Sequence, residues 1–300
     1  IQKFSGVIKE EIGIKIILPE FPGAEKLPFV FPINPIYFLP IIFIVALSHE
    51  IMHALLALKN NVKIKSIGYA FFLIIPAFFV EPNERKLKRI ESKKKIEIYS
   101  AGSFGNVLLA IFVLALIFLI SQIFNLIFEP YGIKYEVIPN TSAYYSNLSG
   151  IILYINDQRV KSVLELRNVL AKFKPNETIV IKTTEGDFKV TLGNESGRAF
   201  IGIKNVETYF VAKIKEFEIF KPAFYETLDF LSLLFLISIA IAIFNILPVK
   251  PLDGGYILEE ILKIILKERY HFIFLTFQIF TIILLILIAI PIKPLISLFS

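Results

Sequence analysis

Four apolar runs, at about residues 36–58, 104–128, 228–247 and 271–290, are each long enough to cross a bilayer as a helix, which takes roughly 20 residues. Little else constrains a chain so strongly, because a helix in lipid must satisfy all its backbone polar groups internally. Composition agrees. Soluble domains carry about 45–50% apolar and about 25% charged residues, whereas here 55% are hydrophobic, 19% are charged and the mean hydropathy is +0.68. The expected fold is an α-helical polytopic membrane protein of about four spans.

The segments between the spans differ in character. Residues 1–35 form an N-terminal segment broken by Pro19, Pro22 and Pro28. The sequence starts at Ile1 rather than Met, so an upstream segment is expected. Residues 62–80 are β-branched and aromatic and are interrupted by Gly68 and Pro76, which reads as a membrane-associated β-hairpin. Residues 84–95 are basic, and 131–212 are polar and strand-like, with a helix near Val163–Phe173. Residues 256–269 read as a short amphipathic helix. The division expected is 1–35, then a first membrane core at 36–130, an inserted polar domain at 131–212 and a second membrane core at 213–300.

Charge orients these segments. The connection from Lys59 to Lys95 is the most basic, which places it in the cytoplasm. The spans then alternate, putting 131–212 outside and Lys250–Arg269 inside. The Asn-x-Ser/Thr pattern occurs at Asn140, Asn147, Asn176 and Asn194, all within 131–212. It marks an outside surface if these sites are glycosylated and is otherwise ordinary polar composition. The net charge of +6 is explained by the basic connections, so no nucleic-acid partner is expected.

The chain has no cysteine and three histidines, so any metal must be held by imidazole and carboxylate. Two of those histidines stand in His49-Glu50-Ile51-Met52-His53, at the end of the first span. Residues four apart share a helix face, so both imidazoles can reach one Zn²⁺, with Glu50 placed to act as general base. A mere helix cap would leave ionisable groups in a span without return, at about 2.5–3.5 kcal/mol each. Zinc sites of this kind take a third protein ligand. Asp253 is the candidate, because it follows the third span at the same expected depth as His49 and His53. Pro248 and Pro251 are expected to end that span, and Gly254–Gly255 to allow positive φ and close approach of the backbone. The plain alternative is an Asp-Gly turn. His271 reads as an interfacial residue.

Together these motifs resemble the site-2 protease family of intramembrane zinc metalloproteases, which pairs H-E-x-x-H on one span with N-x-x-P…D-G on a later one. Asn245, Pro248, Asp253 and Gly254 match the second motif, and Ala101-Gly102-Ser103-Phe104-Gly105-Asn106 resembles the family's A-G-P-x-x-N. Ser103 and Lys250 stand where the family commonly has proline. The resemblance covers about residues 41–128 and 228–260. It implies that Asp253 completes the zinc site and that Asn245 and Asn106 support the substrate or the transition state. It further implies an inserted PDZ-like α+β domain, matched by Val137–Ala143 and Gly150–Val160, with Ile151 in place of the usual Asp.

The resulting expectation is a zinc endopeptidase that hydrolyses transmembrane segments of single-span membrane proteins, in regulated intramembrane proteolysis. Its partners would be those substrates, the lipid bilayer and a peptide or protein ligand of the PDZ-like domain. Its place would be the cell membrane, with the active site near the cytoplasmic side. The rival expectations are a membrane transporter using the same polar residues and a non-catalytic membrane adaptor.

Overall fold

The computed structural model describes residues 16–20, 30–72, 75–195 and 197–289. These fall into two compact units, one of residues 119–227 and one of the described residues on either side of it. Of the N-terminal segment expected at 1–35, only 16–20 and 30–35 are described. They include strands β1 (Ile16–Pro19) and β2 (Val30–Ile33), which pair in parallel.

Among the described residues four helical segments are long and apolar enough to cross a membrane: Pro35–Lys59, Ser92–Ile127, Lys215–Asn245 and Asp253–Leu287. The protein is an integral membrane protein by this measure. Helix α1 (Pro35–Lys59) is started by Asn34, whose Oδ1 accepts the Ile36 N–H, with Pro35 at the first helical position, where a missing N–H costs nothing. Strands β3 (Ile64–Phe72) and β4 (Ile75–Pro82) form the expected hairpin, with Ile67 opposite Val80 and Gly68 opposite Phe79.

A short helix α2 (Glu84–Arg89), capped by Asn83 Oδ1 on the Lys86 N–H, covers part of the basic stretch. Helix α3 (Ser92–Ile127) begins twelve residues before the apolar run expected at 104, taking in Lys93, Lys94 and Lys95. Hydropathy marks where a helix enters lipid, not where its hydrogen bonding starts. Lysine stems tolerate that border because they can carry their charge to a polar partner, and Lys95 finds Glu260 at 3.5 Å. Along α3, Ala101, Gly102, Ser103, Gly105, Asn106 and Ala110 are buried, while Phe104, Ile111, Phe112 and Phe118 are exposed. Small residues inward and large apolar ones outward is the pattern of a helix packed on protein on one side and on lipid on the other.

Helix α6 (Lys221–Asn245) stops at Asn245, before Pro248. The third span expected at 228–247 thus ends two residues early. Helix α7 (Asp253–Leu266) starts at Asp253 rather than at 256 and gives way to a 3₁₀ turn over Lys267–Arg269. The last helix, α8 (Tyr270–Ala289), follows.

The unit of residues 119–227 holds strands β5 (Phe128–Val137), β6 (Ile152–Ile155), β7 (Gln158–Arg159), β8 (Thr178–Thr183), β9 (Gly186–Thr191) and β12 (Ile203–Ala212). They make one sheet in the order β12-β5-β6-β8-β9, with β7 on β6. A separate pair, β10 (Gly193–Glu195) and β11 (Arg198–Phe200), is antiparallel. Helices α4 (Ser142–Tyr145) and α5 (Val163–Leu170) complete it. Its core takes the inward-facing β-branched residues Ile133, Ile152, Ile155, Ile179, Ile181 and Val190 from these strands, together with Leu166 from helix α5 and Ile201 from the turn before β12.

Candidate metal centre

The i, i+4 spacing of His49 and His53 on α1 sets the two imidazoles edge to face, with ring centroids 4.7 Å apart. Their Nε2 atoms are 3.1 Å apart, and each lies 3.2 Å from Asp253 Oδ2. The three ligand atoms therefore form a nearly equilateral triangle. Two ligands about 2.0–2.1 Å from a tetrahedral ion are separated by about 3.3 Å. The donor set, two imidazole nitrogens and one carboxylate oxygen, fits a divalent zinc ion in size and chemistry. Among the described residues this is the one group of three or more His, Cys, Asp or Glu so arranged. His271 lies against Tyr270 and outside the group.

Each element contributes through local chemistry. Asp253 occupies the first helical position of α7, where the helix N-terminus favours a carboxylate. The glycines after it do not adopt the positive φ that the sequence had suggested: neither is among the glycines with φ above zero. They are helical, and what they supply is room. A Cβ on Gly254 would collide with the carbonyl of Ile246, and one on Gly255 would stand 2.5 Å from the backbone N of Lys250. The chain between α6 and α7 is thus folded directly onto the start of α7, which carries Asp253 back to α1. Lys250, where the resembled family has proline, reaches Glu259 at 2.6 Å and ties that same turn to α7.

The far sides of the imidazoles are also held. His53 donates Nδ1–H to the carbonyl of Ile98 at 2.7 Å. That bond fixes the tautomer, because a carbonyl can only accept, and leaves Nε2 with a lone pair. Nδ1 of His49 meets Asn106 Nδ2 at 3.4 Å. Glu50 is half-buried and its Oε2 accepts the backbone N–H of Val80 on β4 at 2.9 Å. A cleft of about 350 Å³ is lined by His49, Glu50, His53, Asp253, Asn245 and, from the hairpin, Phe79 and Val80. Asn245 thus stands on the cleft wall, whereas Asn106 is fully buried and faces His49.

Three contributors had no role assigned from the sequence, although Gly102 stood in the Ala101–Asn106 motif. Gly102 on α3 is the most consequential, since a Cβ there would run into Nε2 of His53 and the ring of His49. The paired small residues Gly102 and Gly105 at the entrance of an apolar run are the signal that marks such close approach. The Ile98 carbonyl and the Val80 N–H carry no signal, because every residue type offers them.

The model of peptidase family M50 matches residues 37–287. The chain is also similar to an uncharacterized protein of Methanocaldococcus jannaschii, at 25% identity over 272 residues, which is 88% of this chain and 68% of the relative.

Proposed function

This chain belongs to peptidase family M50 and is a membrane metalloprotease; from that premise we propose that it is a zinc endopeptidase of the site-2 type, hydrolysing peptide bonds within transmembrane segments. The observation that carries the reading is the triangle of His49 Nε2, His53 Nε2 and Asp253 Oδ2, with Glu50 on the wall of the same cleft.

In this reading His49, His53 and Asp253 hold the ion. Bound there, Zn²⁺ supplies a Lewis acid for the scissile carbonyl and lowers the pKa of water. Glu50 takes a proton from the attacking water as its oxygen bonds to the carbonyl carbon. The carboxyl group then passes that proton to the leaving amine as the C–N bond breaks, and Glu50 returns to its starting state. Asn245, on the cleft wall, pairs a peptide group of the unwound substrate, whose freed N–H and C=O would otherwise cost several kcal/mol in hydrocarbon. The hairpin β3–β4 is a ready partner for that segment, since an unwound peptide can add to a strand edge.

The substrates proposed are single-span membrane proteins, cleaved in regulated intramembrane proteolysis, and the lipid bilayer is the working medium. The domain at 131–212 is proposed as PDZ-like, with a peptide or protein ligand, on the strength of its small sheet with two short helices and the motif similarity. By the positive-inside rule it lies outside the cell membrane and the metal centre near the cytoplasmic side.

Cleavage of a single-span reporter by the detergent-purified chain tests this. Glu50→Gln should keep its zinc and lose cleavage, and chelation should abolish cleavage in the unmodified chain. Cleavage that survives both would overturn the proposal. Metal-dependent ion flux in liposomes without any cleavage would favour a transporter instead.

A further inference from the structure

The two imidazoles of the centre are supported unequally. Nδ1 of His53 has a carbonyl, which only accepts. Nδ1 of His49 has the carboxamide of Asn106, which can either accept or donate. Asn106 is fully buried, and its Oδ1 finds no hydrogen-bond partner among the described residues. An orphaned buried oxygen is costly, and its position beside a ligand histidine calls for a reason.

Nε2 of His49 faces Asp253 Oδ2 at 3.2 Å. With a proton on Nε2 that contact is a hydrogen bond, and Nδ1 then accepts from Asn106 Nδ2, as the contacts stand. To serve as a metal ligand, Nε2 must instead present its lone pair, so the ring proton moves to Nδ1 and needs an acceptor there. A half-turn about the Cβ–Cγ bond of Asn106 exchanges Nδ2 for Oδ1 and supplies it. No other hydrogen-bond partner of Nδ1 is recorded among the described residues.

We propose that Asn106 is a positioning residue for His49, whose carboxamide oxygen accepts Nδ1–H and so fixes the tautomer that binds metal. This rests on the reading of His49 as a ligand and assigns Asn106 a task different from holding substrate. Its oxygen, orphaned in one orientation, is the working group in the other. The amide is suited to both states because it carries a donor and an acceptor on one rigid plane.

The test is zinc affinity, measured on the full chain in detergent by competition with a chromogenic chelator. Asn106→Leu, with the same branching and number of side-chain heavy atoms but no acceptor, should bind zinc about 10–100-fold more weakly, the range for loss of a partner behind a metal-binding histidine. Asn106→Asp keeps only the acceptor and should hold zinc at least as tightly as the unmodified chain. Wild-type affinity in Asn106→Leu would overturn the proposal. Equal weakening in Asn106→Asp and Asn106→Leu would overturn it too, because the needed group would then be the Nδ2 donor. His49→Ala separates the two levels of the argument: if it binds zinc like the unmodified chain, the metal-centre reading fails and this one with it.

Discussion

Val80 donates its backbone N–H to Oε2 of Glu50 at 2.9 Å, so the carboxylate beside the metal-ligand triangle is held by a strand rather than by another side chain. One hydrogen-bond donor of β4 is thereby directed at Glu50 and not at a neighbouring strand. Any peptide that pairs along this edge competes with Glu50 for the Val80 N–H.

Removing the acceptor should free that amide. In Glu50→Leu, hydrogen exchange of the segment containing Val80 should accelerate about tenfold, the equivalent of one hydrogen bond worth about 1.4 kcal/mol. Exchange mass spectrometry on the detergent-solubilised chain reads it directly. Unchanged exchange at this segment would mean that the contact does not protect the strand.

Gly102 and Ser103 are neighbours on α3 with opposite expected sensitivities. Gly102→Ala places a methyl group against both imidazoles, so zinc should be lost or weakened at least tenfold, with overpacking costing about 1–3 kcal/mol. Ser103 is also buried, yet its Oγ has no partner among the described residues. Ser103→Ala should therefore be neutral or slightly stabilising, by up to about 1 kcal/mol. Thermal unfolding and zinc content of the two variants, side by side, make the comparison.

The turn that delivers Asp253 is equally intolerant of added volume. Gly254→Ala would press a Cβ into the Ile246 carbonyl and push the start of α7 away from α1. Zinc content should fall as it does in Asp253→Ala, while the sheet of residues 119–227 stays folded. Retention of one zinc per chain in Gly254→Ala would show that the turn can yield without moving the carboxylate.

Outside the spans, one group gives a pH signature. Burial, with the Glu185 carboxylate adding to it, pushes the Tyr135 phenol up to about 12. A phenol whose folded value lies above its unfolded one stabilises the fold fully below the unfolded value of 10.0, and that share is lost as pH rises through about 12. Its hydroxyl is buried without a partner among the described residues, and the ring is partly exposed, so the expected loss by pH 11 is discounted to about 1 kcal/mol. Tyr135→Phe should remove this part of the alkaline destabilisation and be no less stable at neutral pH. Unfolding temperatures at pH 8 and pH 11 for the two chains check it.

Much of the architecture was legible because lipid imposes a one-dimensional rule. A run such as 36–58 must be helical wherever it lies, and α1 spans Pro35–Lys59. The hairpin at 62–80 was legible from its β-branched and aromatic content broken by Gly68 and Pro76, and its strands run Ile64–Phe72 and Ile75–Pro82. Boundaries were less legible. The start of α3 at Ser92 and the end of α6 at Asn245 depend on hydrogen bonding and caps, to which hydropathy is blind. Of the two reasons the sequence offered for Gly254 and Gly255, positive φ fails and close approach of the backbone holds.

Sequence by itself determined which side chains could meet a metal: two imidazoles four apart on one helix, no thiol anywhere, and one carboxylate at the mouth of a later span. Spacing along a helix is enough for that, because 3.6 residues per turn fixes which residues share a face. Only the tertiary structure decided that the three atoms close to a triangle of 3.1 and 3.2 Å, that Gly102 makes room for it, that Ile98 and Asn106 stand behind its imidazoles, and that Val80 holds Glu50. Those contacts join residues far apart in sequence, and several run through backbone groups that every residue type possesses, so they exist only once the helices and the hairpin are packed.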